Sequence, residues 1–213
     1  MTRPGRLVVV AGTGTEVGKT WFTARVIEHL RAGGSAVAAR KPAQSYDPDD
    51  PHPTDAVVLG GATGEDATEV CPESLSYPIA LAPPMAAEAL GRPVPTLADL
   101  AAACAWPTPA PAVGFVELAG GVRSPMAGDG DGVGLVDLLA PERVLLVADA
   151  GLGTINSVRL SVGALGPDRP VLVVLNRFEP HDALHQRNRR WLADRDGLTV
   201  VTTPADAAAW LHP

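Results

Sequence analysis

Short apolar runs alternate with amphipathic stretches along this chain, a pattern typical of a parallel sheet covered by helices. Six runs of five to seven residues are rich in Val, Leu and Ala and are bounded by Gly, Pro or charged residues, which favours buried strands. The predicted strands cover residues 7–11, 36–40, 113–117, 143–149, 171–176 and 198–202. Helices are predicted to begin near Gly18, Thr54, Pro84, Thr96, Thr154, Asp182 and Pro204. We therefore expect an α/β fold with helices on both faces of the sheet, in one domain covering residues 1–213.

The helix after the first strand has a clear apolar face, and Gly33-Gly34 marks its end. That face is predicted to contain Trp21, Ala24, Val26, Ile27 and Leu30. Right-handed crossovers bring the carboxyl ends of parallel strands to one edge of the sheet. Polar or glycine residues stand at four of these strand ends, and we expect them to meet there: Gly12, Lys41, Glu117 and Asn176.

Two segments are predicted to be irregular. Residues 46–53 contain three prolines and three aspartates, which favours an exposed loop. Residues 120–134 are rich in Gly and Asp, and they are predicted to form a mobile loop beside the site.

Composition narrows the class of protein. A net charge of −7 argues against nucleic acid or an anionic membrane surface as the main partner, and no apolar run approaches the ~18 residues that span a bilayer. Arg3 and Arg6 precede an apolar run as in a signal peptide, but that run is short and leads into a glycine turn, so it is interpreted as a buried strand. Cys71 and Cys104 are too few for a disulfide framework, and a cytoplasmic protein is expected.

The basic residues of the chain are almost all arginine. Fifteen of the seventeen are Arg, and the two lysines, Lys19 and Lys41, lie in the two segments that resemble phosphate chemistry. A compact ammonium enters a crowded phosphate site more easily than a planar guanidinium does. A bias toward Arg with two lysines left by chance is the alternative explanation.

The segment Gly12-Thr13-Gly14-Thr15-Glu16-Val17-Gly18-Lys19-Thr20 follows a predicted strand and opens a predicted helix. Backbone N–H groups in such a turn, together with the helix dipole, bind a polyphosphate. Lys19 would neutralise the β- and γ-phosphates, and the Thr20 hydroxyl would bind Mg²⁺. Five residues rather than the usual four separate Gly12 from Gly-Lys-Thr. A turn that merely caps a helix is the alternative.

This spacing resembles the phosphate loop of the dethiobiotin synthetases, which are P-loop NTPases. Further blocks are similar to that family and occur in its order: Lys41-Pro42-Ala43-Gln44-Ser45, Thr54-Asp55-Ala56, Val116-Glu117-Leu118-Ala119-Gly120-Gly121, Gly151-Leu152-Gly153-Thr154-Ile155-Asn156 and Asn176-Arg177. The resemblance extends from residue 7 to about residue 177 and continues weakly at Pro204 to Asp206.

The resemblance implies an enzyme that uses ATP, Mg²⁺ and CO₂ to close a cyclic urea on the diamine 7,8-diaminononanoate. It also implies a homodimer in which the distal carboxylate of the substrate binds across the interface. The catalytic residues implied are Lys19, Lys41, Thr15 and Ser45, and the metal ligands are Thr20, Asp55 and Glu117. The implied nucleotide-binding residues are Gly14, Glu16, Val17, Gly18, Lys19, Thr20, Trp21, Glu117, Gly120, Asn176, Arg177, Pro204 and Asp206. The implied substrate-binding residues are Thr15, Lys41, Ser45, Gly153, Thr154, Ile155 and Asn156.

Several alternatives stay open at this point. Asp55 could simply begin a helix, and Ser45 could be an ordinary turn residue. The chain differs from the family at Gly14, Tyr46, Leu118 and Arg123, mostly at substrate positions, so a related ligase for another amine is the first alternative function. A ParA/MinD-like ATPase switch is the second, although its early loop lysine is missing here. The nucleotide-binding domain of a cobyrinate-type amidotransferase is the third, and it would need an additional glutaminase domain.

Overall fold

The sheet at the centre of the molecule has a hydrophobic core on each face. In the computed structural model, which describes residues 3–211, the side chains of the first strand alternate between these cores. Leu7 and Val9 enter one core, and Val8 and Val10 enter the other. Complete burial of such a side chain contributes about 1.5–3 kcal/mol. The sheet is therefore a rigid platform for the loops at its edge.

Ten strands occur among residues 3–211, and six of them form the central sheet. The strands are β1 (Arg6–Gly12), β2 (Val37–Arg40), β3 (Gln44–Ser45), β4 (Ser76–Tyr77), β5 (Val113–Gly121), β6 (Pro125–Ala127), β7 (Gly130–Asp131), β8 (Arg143–Asp149), β9 (Val171–Asn176) and β10 (Thr199–Val201). The central sheet is parallel throughout and has the order β10-β9-β8-β1-β5-β2. The six predicted strands are confirmed as its members.

Nine α-helices occur among residues 3–211, and they pack on both faces of the sheet. The helices are α1 (Lys19–Ala32), α2 (Asp55–Thr63), α3 (Ala67–Val70), α4 (Pro83–Ala89), α5 (Leu97–Ala102), α6 (Gly132–Leu139), α7 (Thr154–Leu165), α8 (Ala183–Arg190) and α9 (Pro204–Leu211). All seven predicted helix starts fall within one residue of an observed start. None of the helices described is both long enough and apolar enough to cross a membrane.

The prediction of a mobile loop over residues 120–134 is wrong. β5 continues to Gly121, a short antiparallel hairpin of β6 and β7 follows, and α6 begins at Gly132. Met126 is completely buried, and the Asp131 carboxylate accepts a hydrogen bond from the Gly134 N–H at the start of α6. The glycines and aspartates therefore form turns and a helix cap instead of a loop.

One residue of the predicted apolar face of α1 is also placed differently. Ala24, Val26, Ile27 and Leu30 are buried as expected, whereas the Trp21 side chain is 54% exposed. Trp21 stands in the first turn of α1, directly after the glycine turn, and faces largely toward solvent. Residues 46–53 contain no helix or strand and are mostly exposed, which confirms the second predicted loop.

Candidate phosphate and metal site

The glycine turn joins the central strand β1 to helix α1, as the sequence predicts. Gly18 precedes α1 with a φ of 86°, a left-handed conformation that L side chains rarely adopt. A Cβ at Gly18 would lie 2.2 Å from Nδ2 of Asn176, so only glycine fits there. The turn thereby brings the amino end of α1, with its unpaired N–H groups, to the carboxyl edge of the sheet.

Lys19 is the first residue of α1 and is nearly buried, with 7% of its surface exposed. Its Nζ donates to the Gly14 carbonyl oxygen at 3.1 Å, so the ammonium lies within the glycine turn. Burial and, to a smaller extent, the neighbouring Lys41 ammonium lower the pKa of Lys19 to about 8, against the partial opposition of Glu117 and Asp55. A cation confined in this way gains stability when a polyphosphate arrives.

Lys41 follows β2 and is buried between two carboxylates. Its Nζ lies 2.7 Å from Asp55 Oδ2, 2.8 Å from Glu117 Oε1 and 3.2 Å from the Leu118 carbonyl oxygen, so its three protons have three acceptors. Burial by itself would lower the pKa of Lys41, but the charges of Asp55 and Glu117 and their hydrogen bonds raise it above the ordinary value. The same ammonium outweighs burial at Asp55 and lowers the pKa of that carboxyl group.

Thr20, Asp55 and Glu117 come together beside Lys41. Thr20 Oγ1 lies 2.6 Å from Asp55 Oδ1 and 2.7 Å from Glu117 Oε1. The Thr20 hydroxyl has one proton and can donate to only one of the two carboxylates at a time. The other short oxygen–oxygen contact is therefore made without a hydrogen bond. Oε2 of Glu117 is buried and has no hydrogen-bond partner among residues 3–211.

These oxygens fit a magnesium ion. Neighbouring ligands of an octahedral Mg²⁺ lie about 3 Å apart, since each stands 2.0–2.1 Å from the metal. A hydroxyl and two carboxylates leave the remaining positions for water and phosphate, as Mg²⁺ prefers. No cluster of three or more His, Cys, Asp or Glu suited to a metal occurs within residues 3–211. The site therefore suits a cation that shares its ligands with a nucleotide better than one held by protein alone.

The other predicted residues lie around this centre. Thr15 is exposed in the glycine turn, and a Cβ at Gly120 would come within 3.8 Å of its Oγ1 and 2.6 Å of Ser124 Oγ. The Ser45 hydroxyl donates to the Leu81 carbonyl oxygen at 2.6 Å, so donation to a substrate requires that bond to be exchanged. Thr15 and Ser124 therefore flank Gly120 beside the glycine turn.

Asn176 and Arg177 bind carbonyl oxygens of the glycine turn. Asn176 Nδ2 donates to the Val17 carbonyl oxygen at 3.0 Å. The Arg177 guanidinium donates to the Glu16 carbonyl oxygen at 2.9 Å and lies 3.3 Å from the carboxylate of Asp149. These contacts give both residues a role in shaping the turn, in addition to the predicted contact with the nucleotide base.

Two further helix starts stand at the same edge of the sheet. Gly153, with a φ of 91°, precedes α7, and the buried Thr154 hydroxyl has no partner among the described residues. Pro204 and Asp206 begin α9, where the Asp206 carboxylate accepts from the Thr203 hydroxyl at 2.7 Å. Because α7 follows β8 and Lys41 follows β2, three strand positions or about 14 Å separate them in the sheet.

Four residues of this region have no role assigned from the sequence: Gln44, Ser124, Asp149 and Asn188. Asn188 is buried, and its amide donates to the carbonyl oxygens of Ala150 and Gly151 at 2.9 and 2.8 Å, which fixes the turn before α7. These contacts join segments that are distant in sequence. Only Gln44, which lies in the Lys41-Pro42-Ala43-Gln44-Ser45 block, carried a local signal.

The lowered pKa of Lys19 predicts a pH-dependent affinity for ATP. The free protein carries the Lys19 charge below about pH 8 and loses it as the pH rises, whereas bound polyphosphate favours the charged form. Above pH 8 we expect ATP binding to take up close to one proton and to weaken by up to about tenfold per pH unit. Calorimetry in buffers of different ionisation enthalpy measures this uptake. An uptake of zero at pH 9, or an equal uptake by a Lys19→Met variant, would contradict the assignment.

The comparisons with known proteins agree with this arrangement. The family model described as an AAA domain matches residues 6–203. The ATP-dependent dethiobiotin synthetase BioD of Haloferax mediterranei is 40% identical over 201 residues, which cover 92% of this chain and 82% of that protein. Its counterpart from Anaeromyxobacter dehalogenans strain 2CP-C is 39% identical over 211 residues, or 95% of this chain and 92% of that protein.

Solved structures support the fold. The signal recognition particle receptor FtsY of Elizabethkingia anophelis, solved in complex with GDP, superimposes with a TM-score of 0.57 at 14% identity. The match covers 94% of this chain, which spans 57% of that receptor chain. At this identity the likeness shows the fold alone.

Proposed function

This chain belongs to the family of ATP-dependent dethiobiotin synthetases, and from that membership we propose that it closes a cyclic urea on 7,8-diaminononanoate with CO₂, MgATP and the residues of the phosphate and metal site. It is an ATP-dependent ligase of biotin biosynthesis. The observation that carries the proposal is the buried Lys41 ammonium, held at 2.7 and 2.8 Å from two carboxylates beside Lys19 and the glycine turn.

The proposed reaction has three steps. One amine of the substrate attacks CO₂, forms an N–C bond and releases a proton, which gives a carbamate. A carbamate oxygen then attacks the γ-phosphorus of ATP, and ADP leaves. The second amine attacks the carbonyl carbon of the resulting anhydride, and phosphate leaves with the bridging oxygen as the ring closes.

The second step needs more positive charge than the side chains of the site supply. Carbamate and triphosphate are both anions, so their approach needs positive charge in a site that excludes water. Two ammonium groups (Lys19 and Lys41) and two carboxylates (Asp55 and Glu117) cancel each other, so the side chains alone supply no net charge. A bound Mg²⁺, held by Thr20, Asp55 and Glu117, would supply the excess positive charge for the phosphates.

Each lysine has a different task in this proposal. Lys19 binds the β- and γ-phosphates from within the glycine turn and stabilises the charge on the transferred group. Lys41 exchanges one of its three present acceptors for a carbamate oxygen and so orients the carbamate toward that group. It remains protonated throughout, since its pKa is raised by Asp55 and Glu117. Thr15 and Ser45 donate hydrogen bonds to the carbamate or amine, and the base of ATP binds near Asn176, Arg177 and the start of α9.

Oxygen transfer tests this chemistry. When the carbamate forms from ¹⁸O-labelled CO₂ in ordinary water and the reaction is sampled before the label exchanges with the solvent, one ¹⁸O atom per turnover should appear in the released phosphate, and only when the diamine is present. Attack of water on ATP instead introduces unlabelled oxygen into the phosphate. Phosphate labelling that is equal with and without the diamine would contradict the proposal.

The substitution Asp55→Asn tests the metal assignment. It removes one anionic oxygen while keeping the volume of the side chain, so the half-saturating concentration of Mg²⁺ should rise by at least about tenfold. The melting temperature should change little, because the Asp55 side chain is 41% exposed. Activity titrated with Mg²⁺ at saturating ATP measures the change. An unchanged magnesium requirement would contradict the role of Asp55 as a ligand.

We further propose that the protein is a homodimer in which the start of α7 completes the partner's substrate site. The turn before α7 exposes Leu152 by 92%, and α7 itself exposes Leu160 by 68%, which gives this surface two largely exposed apolar side chains. The separation of this turn from Lys41 within one chain is compatible with a substrate held by two subunits. Sedimentation equilibrium giving the mass of a single chain would overturn this proposal.

A further inference from the structure

The amino end of helix α2 is capped by a residue from a different segment. Asp55 is the first residue of α2, and Thr54 before it makes no hydrogen bond to the helix through its side chain. The next N–H group of the helix, that of Ala56, instead donates to Oε1 of Gln44 at 3.0 Å. Gln44 therefore supplies the acceptor that a serine, threonine or aspartate before the helix would normally provide.

The orientation of the Gln44 amide is fixed by its two partners. The Ala56 N–H is a donor only, so it must face the amide oxygen. The amide nitrogen then donates to Ser76 Oγ at 2.9 Å, across the pairing of β3 with β4. The residue is 6% exposed, so water does not replace either contact at low cost.

The helix start that Gln44 holds carries a central side chain of the site. The two oxygens of Asp55 bind Lys41 Nζ at 2.7 Å and Thr20 Oγ1 at 2.6 Å. Lys41 and Gln44 are three residues apart in one segment. This segment therefore binds the Asp55 side chain through Lys41 and the backbone N–H of the next residue, Ala56, through Gln44. Movement of the first turn of α2 would change both contacts of the carboxylate together.

We infer that Gln44 is a positioning residue for Asp55: its amide oxygen holds the first turn of α2 so that the carboxylate stays between Lys41 and Thr20 and binds the metal of the MgATP complex. This inference rests on the proposed function, because it takes Asp55 as a metal ligand. Gln44 touches neither nucleotide nor substrate in this role. A Gln44 that served only as packing would be replaced by methionine without effect on the metal.

Direct metal binding tests the inference without relying on turnover. Mn²⁺ replaces Mg²⁺, and its binding is followed by electron paramagnetic resonance in the presence of a non-hydrolysable ATP analogue. Gln44→Met keeps the volume but removes the acceptor, and we expect Mn²⁺ affinity to fall by about tenfold. Gln44→Asn, whose amide is one methylene too short, should show the same loss and serves if the methionine variant does not fold.

Two variants act as controls. Gln44→Glu keeps an oxygen acceptor for the Ala56 N–H, and it should bind Mn²⁺ as tightly as the natural chain or more tightly. Ser76→Ala removes only the other partner of the Gln44 amide and should leave affinity within about twofold. Hydrogen exchange of the Ala56 amide should accelerate by about tenfold in Gln44→Met and not in Ser76→Ala.

The outcomes separate this inference from the proposed function. Normal Mn²⁺ affinity in both Gln44→Met and Gln44→Asn, with a loss in Asp55→Asn, would overturn the role of Gln44 alone. Normal affinity in Asp55→Asn as well would overturn the metal assignment and the inference with it. An equal loss in Ser76→Ala and Gln44→Met would identify general loosening of the β3–β4 segment and would also overturn the inference.

Discussion

Replacing Lys19 with methionine is expected to lower turnover by at least about a hundredfold, as the loss of a buried donor to a developing charge does in other enzymes. The Lys19 ammonium lies inside the glycine turn with 7% of the residue exposed. In the proposed mechanism its charge meets the γ-phosphate as that group is transferred, and no other side chain of the turn is positively charged. Single-turnover phosphate transfer measured at saturating MgATP separates this loss from weaker binding.

Arginine should not restore the activity. A Cβ at Gly12 would lie 3.0 Å from Lys19 Cδ and 3.1 Å from Nζ, which shows how closely the lysine stem fits the turn. A planar guanidinium is too large for this space, so Lys19→Arg is expected to be nearly as inactive as Lys19→Met. Arg25→Ala is the matched control: it removes a positive charge from the exposed face of α1 and should leave turnover unchanged. Turnover within about threefold of normal in Lys19→Met would contradict the role of Lys19.

The substitution Lys41→Met is expected to abolish turnover and to destabilise the fold. Glu117 is fully buried and Lys41 is 2% exposed, so removal of the ammonium leaves a carboxylate without its charge partner. Loss of one partner of such a buried pair costs about 3–5 kcal/mol. Turnover should fall by orders of magnitude, because the carbamate loses the cation that orients it toward ATP.

A double variant separates these two effects. In Lys41→Met/Glu117→Gln no unpaired charge is buried, so most of the lost stability should return while activity stays absent. Urea unfolding followed by circular dichroism measures the first quantity, and urea formation from the diamine measures the second. Near-normal turnover in a folded Lys41→Met variant would show that Lys41 has no part in catalysis. An unfolding free energy that does not recover in the double variant would contradict the ion-pair account of stability.

Much of the fold follows from local patterns. The six strands of the central sheet are short runs of Val, Leu and Ala, and burial on both faces leaves such strands without polar alternation. The same local patterns gave a wrong prediction for the segment from Gly120 to Gly134. Its glycines and aspartates favour turns, and they predict a mobile loop. Those turns do occur, but buried residues such as Met126 between them pin the segment to the core. Burial of this kind depends on tertiary contacts that a short window does not contain.

The site likewise has residues that the sequence predicts and supporting contacts that it does not. Lys19, Thr20, Lys41, Asp55 and Glu117 stand in recognisable blocks after strands or at helix starts, and the structure brings all five together as expected. The supporting contacts of Gln44 and Asn188 could not be predicted, because each amide binds backbone groups in a segment far along the chain. Such contacts have no periodicity and no preferred spacing.

We propose that this chain couples ATP cleavage to ring closure on a diamine. The decisive measurement is phosphate release from MgATP with bicarbonate, made with and without 7,8-diaminononanoate and combined with the mass of the organic product. We expect phosphate release that depends on the diamine, with one cyclic urea formed per phosphate. ATP binding without diamine-dependent phosphate release, or phosphate release without a urea, would contradict it.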